Sequence, residues 1–459
     1  MRLHSKIRLA LIVLSVGTAS CSTRPAVYER PLLDLPAAAA NPLTIERQWW
    51  KAFGNPALDD LIEEALANNL DLAKAAANLA EARANAGVAR AYLTPRVDSV
   101  AGAAVKQREL TFALTDQDFN HVSSTATAGV AVNWEIDLWG RIRQMNDAAL
   151  ARLAASAHAR RAVALSISAA VAETWFQLRN LDAKLAITRN AVANLKAIAD
   201  LEYKRWRAEA GTELNYRKSL AEAAAAEARI PGLEAAVSRT ELAIRQLVGR
   251  SPRAMTSALP RGGEPALPQT AREVDSTLLL RRPDVASAEL VLAAAHADVN
   301  SVRAEYYPRL TLSLMAGIIA TSSKAISGMP LFWDTSLGLG APLFDGGLLD
   351  AKTAGAEARR QLALANYQYA VTVAFRETYE ALAMLEASDR QFSATVQEVY
   401  TRRKSLALTQ KSLDAGRSSK FDVFSETIVL LNSEMSMSDA RLNQLTARCQ
   451  YYKALGGGY

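Results

Sequence analysis

Between Pro56 and Tyr92 the apolar residues Leu58, Leu61, Ala65, Leu72, Ala75, Leu79, Ala82, Ala86 and Ala89 recur mostly at steps of three or four. That spacing predicts one amphipathic helix of about ten turns. From Arg141 to Ile230 the chain is rich in Ala and Leu, studded with charge, free of proline and interrupted by a single glycine, Gly211. It reads as one helix to about Ala210 and a second that starts just past the glycine, kinked at Pro231-Gly232. Seventy residues at 1.5 Å each span roughly 105 Å, a length that needs coiled-coil-like neighbours. After Pro342 there is again no proline, and Gly416 interrupts a helical stretch from about Leu348 to Leu455. There Phe424, Ile428, Leu431, Met435, Ser438, Leu442, Leu445, Cys449 and Tyr452 alternate steps of four and three. A period of about 3.5 residues specifies a packed helical seam, in which Cys449 serves as a small buried hydrophobe.

Two regions have period two instead. Ala126, Ala128, Val130, Val132, Trp134, Ile136 and Leu138 alternate with smaller or polar residues, and about Val97 to Phe112 supplies the partner strand. Leu310, Leu312, Leu314, Ala316, Ile318 and Ala320 form a second such row, and Trp333, Thr335, Leu337, Leu339, Ala341 and Leu343 a third. Strands with one apolar and one polar face, flanked by Trp134, Trp139, Trp333 and Phe344, suit a membrane barrel; a soluble antiparallel sheet with one wet face shares the alternation.

The chain reads as internally duplicated. Ala91 to Val97 is A-Y-L-T-P-R-V and Ala304 to Leu310 is A-E-Y-Y-P-R-L, with the prolines 213 positions apart and Gly211 and Gly416 205 apart. Each half runs helix, Pro-Arg, hairpin, long helix, glycine, helix. The expected boundaries are a first repeat at 56–250 with its hairpin at about 97–139, a linker at 251–269 marked by four prolines and Gly262-Gly263, and a second repeat at 270–459 with its hairpin at about 309–345.

Composition narrows the classes. The 459 residues are 50% hydrophobic and 22% charged, which excludes collagen-like, disulfide-scaffold and disordered chains. Lys and Arg number 53 against 47 Asp and Glu, a net charge of +6, but they are scattered, so no nucleic-acid partner is expected. Cys21, Cys449 and the histidines His4, His121, His158 and His296 show no metal-ligand spacing, and His121 and His296 read as surface or loop residues. No nucleophile elbow, phosphate loop or carboxylate constellation is present, so the reading is of a non-enzyme without metal or cofactor.

Residues 1–20 read as a secretory signal: Arg2, Lys6 and Arg8, an apolar stretch from Leu9 to Val16, then small residues before Cys21. The Ala19-Ser20-Cys21 ending resembles a lipoprotein signal, with Thr18 where Leu is the usual residue, and makes Cys21 the expected lipid attachment site of an anchored segment at 21–55. Ser22 after it favours the outer membrane by the same resemblance. No later stretch has the 18 uncharged apolar residues of a membrane helix, so any further crossing falls to strands. Four strands cannot close a barrel in hydrocarbon, which requires oligomerisation; three copies give twelve strands and a helical tube, a conduit and not a catalytic cleft.

These features together resemble the TolC-type outer-membrane efflux channel family, in particular its lipoprotein branch, the NodT/OprM-like outer membrane factors. The resemblance rests on Trp49-Trp50-x-x-Phe53, Pro56-x-Leu58-x-x-Leu61, Asn69-Leu70-Asp71-Leu72, Trp134 to Arg141, Arg281-Arg282-Pro283-Asp284, Ala341 to Gly347 and the Tyr452 to Tyr459 end. It implies a mixed, mainly α fold: a long α-helical barrel continuous with a transmembrane β-barrel built from two hairpins per protomer of a homotrimer. It implies a partnership with a periplasmic adaptor protein and an inner-membrane transporter, and passive conduction of drugs or other small compounds. In such channels the helical-hairpin turns, here Gly211 and Gly416, close a periplasmic gate, and an aspartate six residues past the turn guards it. Asp422 holds that place, Phe421 adds an apolar constriction, Ser425 is a second position often acidic in relatives, and Arg217 is the residue reached by the same count from Gly211. Asp345 reads as a turn residue. Two alternatives stay open on the sequence: an exit duct for type I protein secretion, and a lipid-anchored coiled-coil scaffold that transports nothing.

Overall fold

The computed structural model describes residues 27–31, 46–112, 117–251, 259–270, 280–323 and 327–458; the expected signal and Cys21 lie outside them. The helix expected from Pro56 to Tyr92 is two helices, α1 (Pro56–Asn68) and α2 (Leu70–Ala91). Asn69 sits extended between them, at φ −64° and ψ 131°. Its Oδ1 accepts from the N–H groups of Asp71 and Leu72, capping α2, and its Nδ2 donates to the Leu247 carbonyl at 2.7 Å. The interruption takes one residue, so the apolar periodicity carries across it and hides it from pattern reading.

β1 (Arg96–Phe112) and β2 (Gln117–Ile136) form one antiparallel hairpin, and β3 (Arg309–Ser323) pairs antiparallel with β5 (Leu331–Gly340) and the short β4 (Ser327–Gly328). β2 also pairs antiparallel with β3, so the hairpins join into one sheet in the order β1, β2, β3, β5. The third apolar row stops as strand at Gly340 and not at Leu343 or Phe344. Pro342 has no N–H to give a ladder, and Asp345 caps the next helix by accepting from the N–H groups of Gly347 and Leu349.

α3 (Arg141–Arg207) and α7 (Leu348–Asp414) each run 67 residues, about 100 Å at 1.5 Å per residue. α3 is followed by α4 (Glu213–Glu227) and α5 (Ile230–Leu247), which places a break at Ala228-Arg229 with Pro231 in the first turn of α5. α6 (Pro283–Ala304) precedes β3, and α8 (Lys420–Ala454) follows α7. No described helix is long and apolar enough to cross a membrane.

Contacts divide the chain into two compact units. Of the described residues, one gathers those within Ala80–Ala155 and Glu289–Asn366 together with 27–31, and holds the sheet; the other gathers those within Leu33–Leu79, Ser156–Ala288 and Tyr367–Tyr459, and its regular elements are helices. The core of the helical unit is built around Trp49, Phe53, Leu58, Leu61, Trp175, Phe176, Cys449 and Tyr451, all buried. Trp49 stacks on Tyr452 with ring centroids 5.6 Å apart, and Phe53 meets Phe176 at 5.1 Å. The proline-rich residues 259–268 are fastened to this core: Ala266 N–H donates to the Phe53 carbonyl at 2.8 Å, Asn55 Nδ2 to the Gly263 carbonyl at 2.9 Å and Trp175 Nε1 to the Pro260 carbonyl at 3.3 Å. Every residue of the 3.5-period row on α8 is buried or half-buried.

Candidate functional site

The sheet presents two unlike faces. In the observed register Val97, Val130, Val132, Leu314, Ala316, Ile318, Trp333, Leu337 and Leu339 share one face with Ala126, Ala128, Trp134 and Ile136. The other carries Asp98, Lys106, Thr125, Thr127, Asn133, Glu135, Thr311, Ser313, Asp334 and Ser336. Along β2 from 122 to 130 the residues of the apolar face are exposed while those of the polar face are half-buried. Large apolar groups at the outer surface and polar groups on the sheltered one invert the order of a soluble sheet and match a barrel wall in lipid. Where β2 meets β3, Gly129 lies opposite Gly317. A Cβ on Gly317 would stand 2.3 Å from the Ala128 carbonyl oxygen and 2.6 Å from Gly129 Cα, so the two strands approach at a distance only glycine permits.

Residues 27–31 lie along α6. Tyr28 meets His296 edge-on with ring centroids 6.0 Å apart, and Arg30 pairs with Glu289 through two nitrogens. Later residues of the segment thus meet earlier residues of α6, so the segment runs antiparallel to the helix and its N-terminal side points toward the end of α6 that leads into β3. His158 has its pKa pushed down by burial and then by Arg161. The side chain of His121 lies outside the description, and among the described residues no group of His, Cys, Asp and Glu is placed to hold a metal ion.

The two helical turns are built alike, but not on the two glycines. α7 ends on Gly416 at φ 71°, with Arg417 N–H bonded to the Ser412 carbonyl and Gly416 N–H to that of Leu413. α3 ends the same way on Glu209 at φ 55°, with Ala210 N–H bonded to Arg205 and Glu209 N–H to Trp206. The left-handed residue of the first turn is therefore Glu209, and Gly211 lies outside that conformation. The caps repeat the offset: Thr212 Oγ1 accepts from Asn215 N–H and Ser419 Oγ from Asp422 N–H, both at 3.2 Å. Aligned by their caps, the residue equivalent to Asp422 is Asn215, and the count from Gly211 to Arg217 is corrected accordingly.

Asp422 is exposed, and its carboxylate accepts from the Ser419 N–H at 2.7 Å and from the hydroxyls of Ser419 and Ser418 at 2.8 Å. The Ser419 N–H, then the two hydroxyls, hold its pKa below the usual carboxylate value. Phe421, 45% exposed, stacks against Phe424 at 5.9 Å, and Ser425 is exposed beside them. Arg217 donates to Glu213 at 3.1 Å and lies 5.6 Å from the Tyr216 ring. Within one copy Arg217 and Asp422 thus each bond within their own helical hairpin and not to each other. The residue that does reach across is Lys218, whose Nζ lies 5.7 Å from the Phe421 ring. Pattern reading passed over Lys218 and the Tyr203, Trp206 and Tyr216 cluster, in which Trp206 and Tyr216 stack at 5.8 Å. The Ser419-x-x-Asp422 capping box was the readable signal at this turn.

The chain matches the family model described as outer membrane efflux protein over residues 61–250 and 275–457. It is 34% identical to the pyoverdine export outer membrane protein OpmQ of Pseudomonas putida, over 98% of this chain and 97% of that protein. Among solved structures it resembles the outer-membrane channel OprN, with a TM-score of 0.85 at 27% identity, over 95% of this chain and 99% of that one. It also resembles the open state of the Neisseria gonorrhoeae MtrE outer membrane channel, with a TM-score of 0.81 at 25% identity, over 95% of this chain and 98% of that one. With the matched model spanning most of its length, the chain belongs to the outer membrane efflux protein family.

Proposed function

We propose that the protein is the outer-membrane channel of a tripartite efflux system, a homotrimer that passively conducts small organic compounds delivered by an inner-membrane transporter through a periplasmic adaptor. The observation that carries this reading is the single wall of four main strands with a mainly apolar face and two edge strands, β1 and β5. Strand directions alternate across it, so β5 of one copy meets β1 of the next antiparallel and the ring closes for any number of copies. One copy cannot close; two would give eight strands, whose interior side chains fill; three give twelve and leave a lumen. Family membership favours the conduit over the envelope scaffold, and the relatives' names favour small compounds over secreted protein: pyoverdine in one, toluene in another. The reading includes the duplicated architecture and a helical barrel made from α3 to α5 and α7 to α8.

The same reading places a lipid on Cys21. Six residues lie between it and Tyr28, seven steps with a reach of up to about 24 Å, and residues 27–31 run along α6 with their N-terminal side toward the end that leads into β3. In the same reading Phe421 and Asp422 narrow a gate, Ser425 lines it, and Arg217 stays with Glu213. Native mass spectrometry counts the copies and planar-bilayer recording reads the conduction. A detergent-stable trimer with discrete conductance is expected, and a monomer that inserts no conducting unit overturns the reading. Intact mass of the membrane-extracted protein tests the anchor: a diacylglyceryl-cysteine start is expected, and an unmodified thiol at position 21 removes it.

A further inference from the structure

We infer that Phe344 of each copy packs on the Thr94-Pro95 turn of the next copy, forming a repeated aromatic contact at the base of the sheet. The inference rests on the oligomeric barrel above and adds the residues that join the copies. Its template lies inside one chain. Where β2 leaves the sheet, Leu138-Trp139-Gly140 leads into α3, and Trp139 stacks on Tyr307 with centroids 5.1 Å apart while its Nε1 donates to the Pro308 carbonyl at 2.7 Å. Tyr307-Pro308-Arg309 is the turn that opens the neighbouring strand, β3.

Where β5 leaves the sheet, Leu343-Phe344-Asp345-Gly346 leads into α7, again with an apolar residue, an aromatic and a glycine in that order, but with Asp345 inserted between the last two. The turn that matches Tyr307-Pro308-Arg309 is Thr94-Pro95-Arg96, which opens β1. β1 is at the opposite edge of the same sheet, three strand spacings or about 14 Å from β5, so within one copy the pair cannot form. Exposure follows this difference. Trp139, Tyr307 and Pro308 are half-buried by one another, whereas Thr94 and Pro95 are exposed and Leu343 and Phe344 stand 100% and 94% exposed. These two apolar side chains are held out by a built turn, because the Asp345 carboxylate accepts from Gly347 and Leu349 N–H groups. The edge strand that precedes them is the one a second copy must pair with, so the copy that covers β5 brings its own Thr94-Pro95 turn alongside Phe344.

The test is disulfide trapping of the double variant Thr94→Cys, Phe344→Cys in outer-membrane vesicles under mild oxidation, read on a non-reducing denaturing gel. Most of the monomer band is expected to move to dimer and trimer bands that reducing agent collapses, with neither single variant nor wild type doing so. As a second readout, Phe344→Ser raises the monomer fraction in mild detergent several-fold, while Phe344→Trp retains the trimer. A wild type that counts as three copies while the double variant stays monomeric on the gel overturns the contact and leaves the channel reading standing. Quenching of the Phe344→Trp fluorescence by brominated lipid also overturns it, because the residue then faces the membrane. A wild type with no trimer removes both.

Discussion

Arg282 brings its guanidinium to 5% exposure and uses it three ways: Nη1 donates to the Ala454 carbonyl at 2.9 Å, and Nη2 donates to Asp284 at 2.8 Å and to Glu377 at 2.6 Å. It therefore ties the end of α8 to α6 and α7, and its loss strands two carboxylates. Those carboxylates are 43% and 34% exposed, so water offsets part of the loss. Arg282→Leu is expected to cost about 2–3 kcal/mol, below the range for a wholly buried pair. Denaturant titration of the helical signal measures it, and a midpoint unchanged from wild type refutes the clasp. Cys449 is the opposite kind of residue, fully buried and free of a disulfide. Burial, and then the charge of Glu173, push its thiol well above the ordinary value. A maleimide at pH 7.5 is expected to leave it unlabelled in the native protein and to label it in denaturant. Stoichiometric labelling of the folded protein contradicts the packing.

At the scale of elements, the join between the hairpins depends on Gly129 and Gly317. Gly317→Val places side-chain atoms where the Ala128 carbonyl already stands, and overpacking of this kind costs about 1–3 kcal/mol. Since β2 and β3 are central strands, the cost falls on the join between the hairpins; on the channel reading proposed above, the oligomer on a semi-native gel should weaken, while Gly87→Ala on α2, whose Cβ meets nothing within 4 Å, should not weaken it. Equal behaviour of the two variants shows that the close approach is unimportant. The start of α8 depends on the Ser419 and Asp422 capping box. Because the folded carboxylate has the lower pKa, its contribution is present above about pH 4 and fades as pH falls through the folded value.

For the whole molecule the proposed gate is the informative test. Asp422→Asn keeps an oxygen that accepts from Ser419 and removes the charge, so it separates an acidic constriction from a helix cap. Single-channel conductance is expected to rise in Phe421→Ala at any salt concentration and in Asp422→Asn mainly at low salt, where the charge is unscreened. Between pH 5 and 8 the wild type should hold its conductance, since Asp422 stays ionised there. Arg217→Ala should change little, because Arg217 is engaged with Glu213. If neither Phe421→Ala nor Asp422→Asn alters conductance, the constriction lies elsewhere.

Local pattern was enough to find the long helices, the strand faces, the Cys449 seam and the two helical turns, because periods of 2, 3.5 and 3.6 residues are written directly into which side chains must meet apolar neighbours. The order helix, hairpin, long helix, turn, helix was legible for the same reason. The break at Asn69 was not, since one capping residue leaves the period intact, and neither was the left-handed Glu209, a conformation that glycine adopts more easily. Which residues of the two turns correspond, that Lys218 and not Arg217 reaches Phe421, and that Gly129 faces Gly317 depend on strands and helices distant in sequence coming together. A one-dimensional pattern fixes which face of an element is apolar; the partner of that face is decided only when the elements pack.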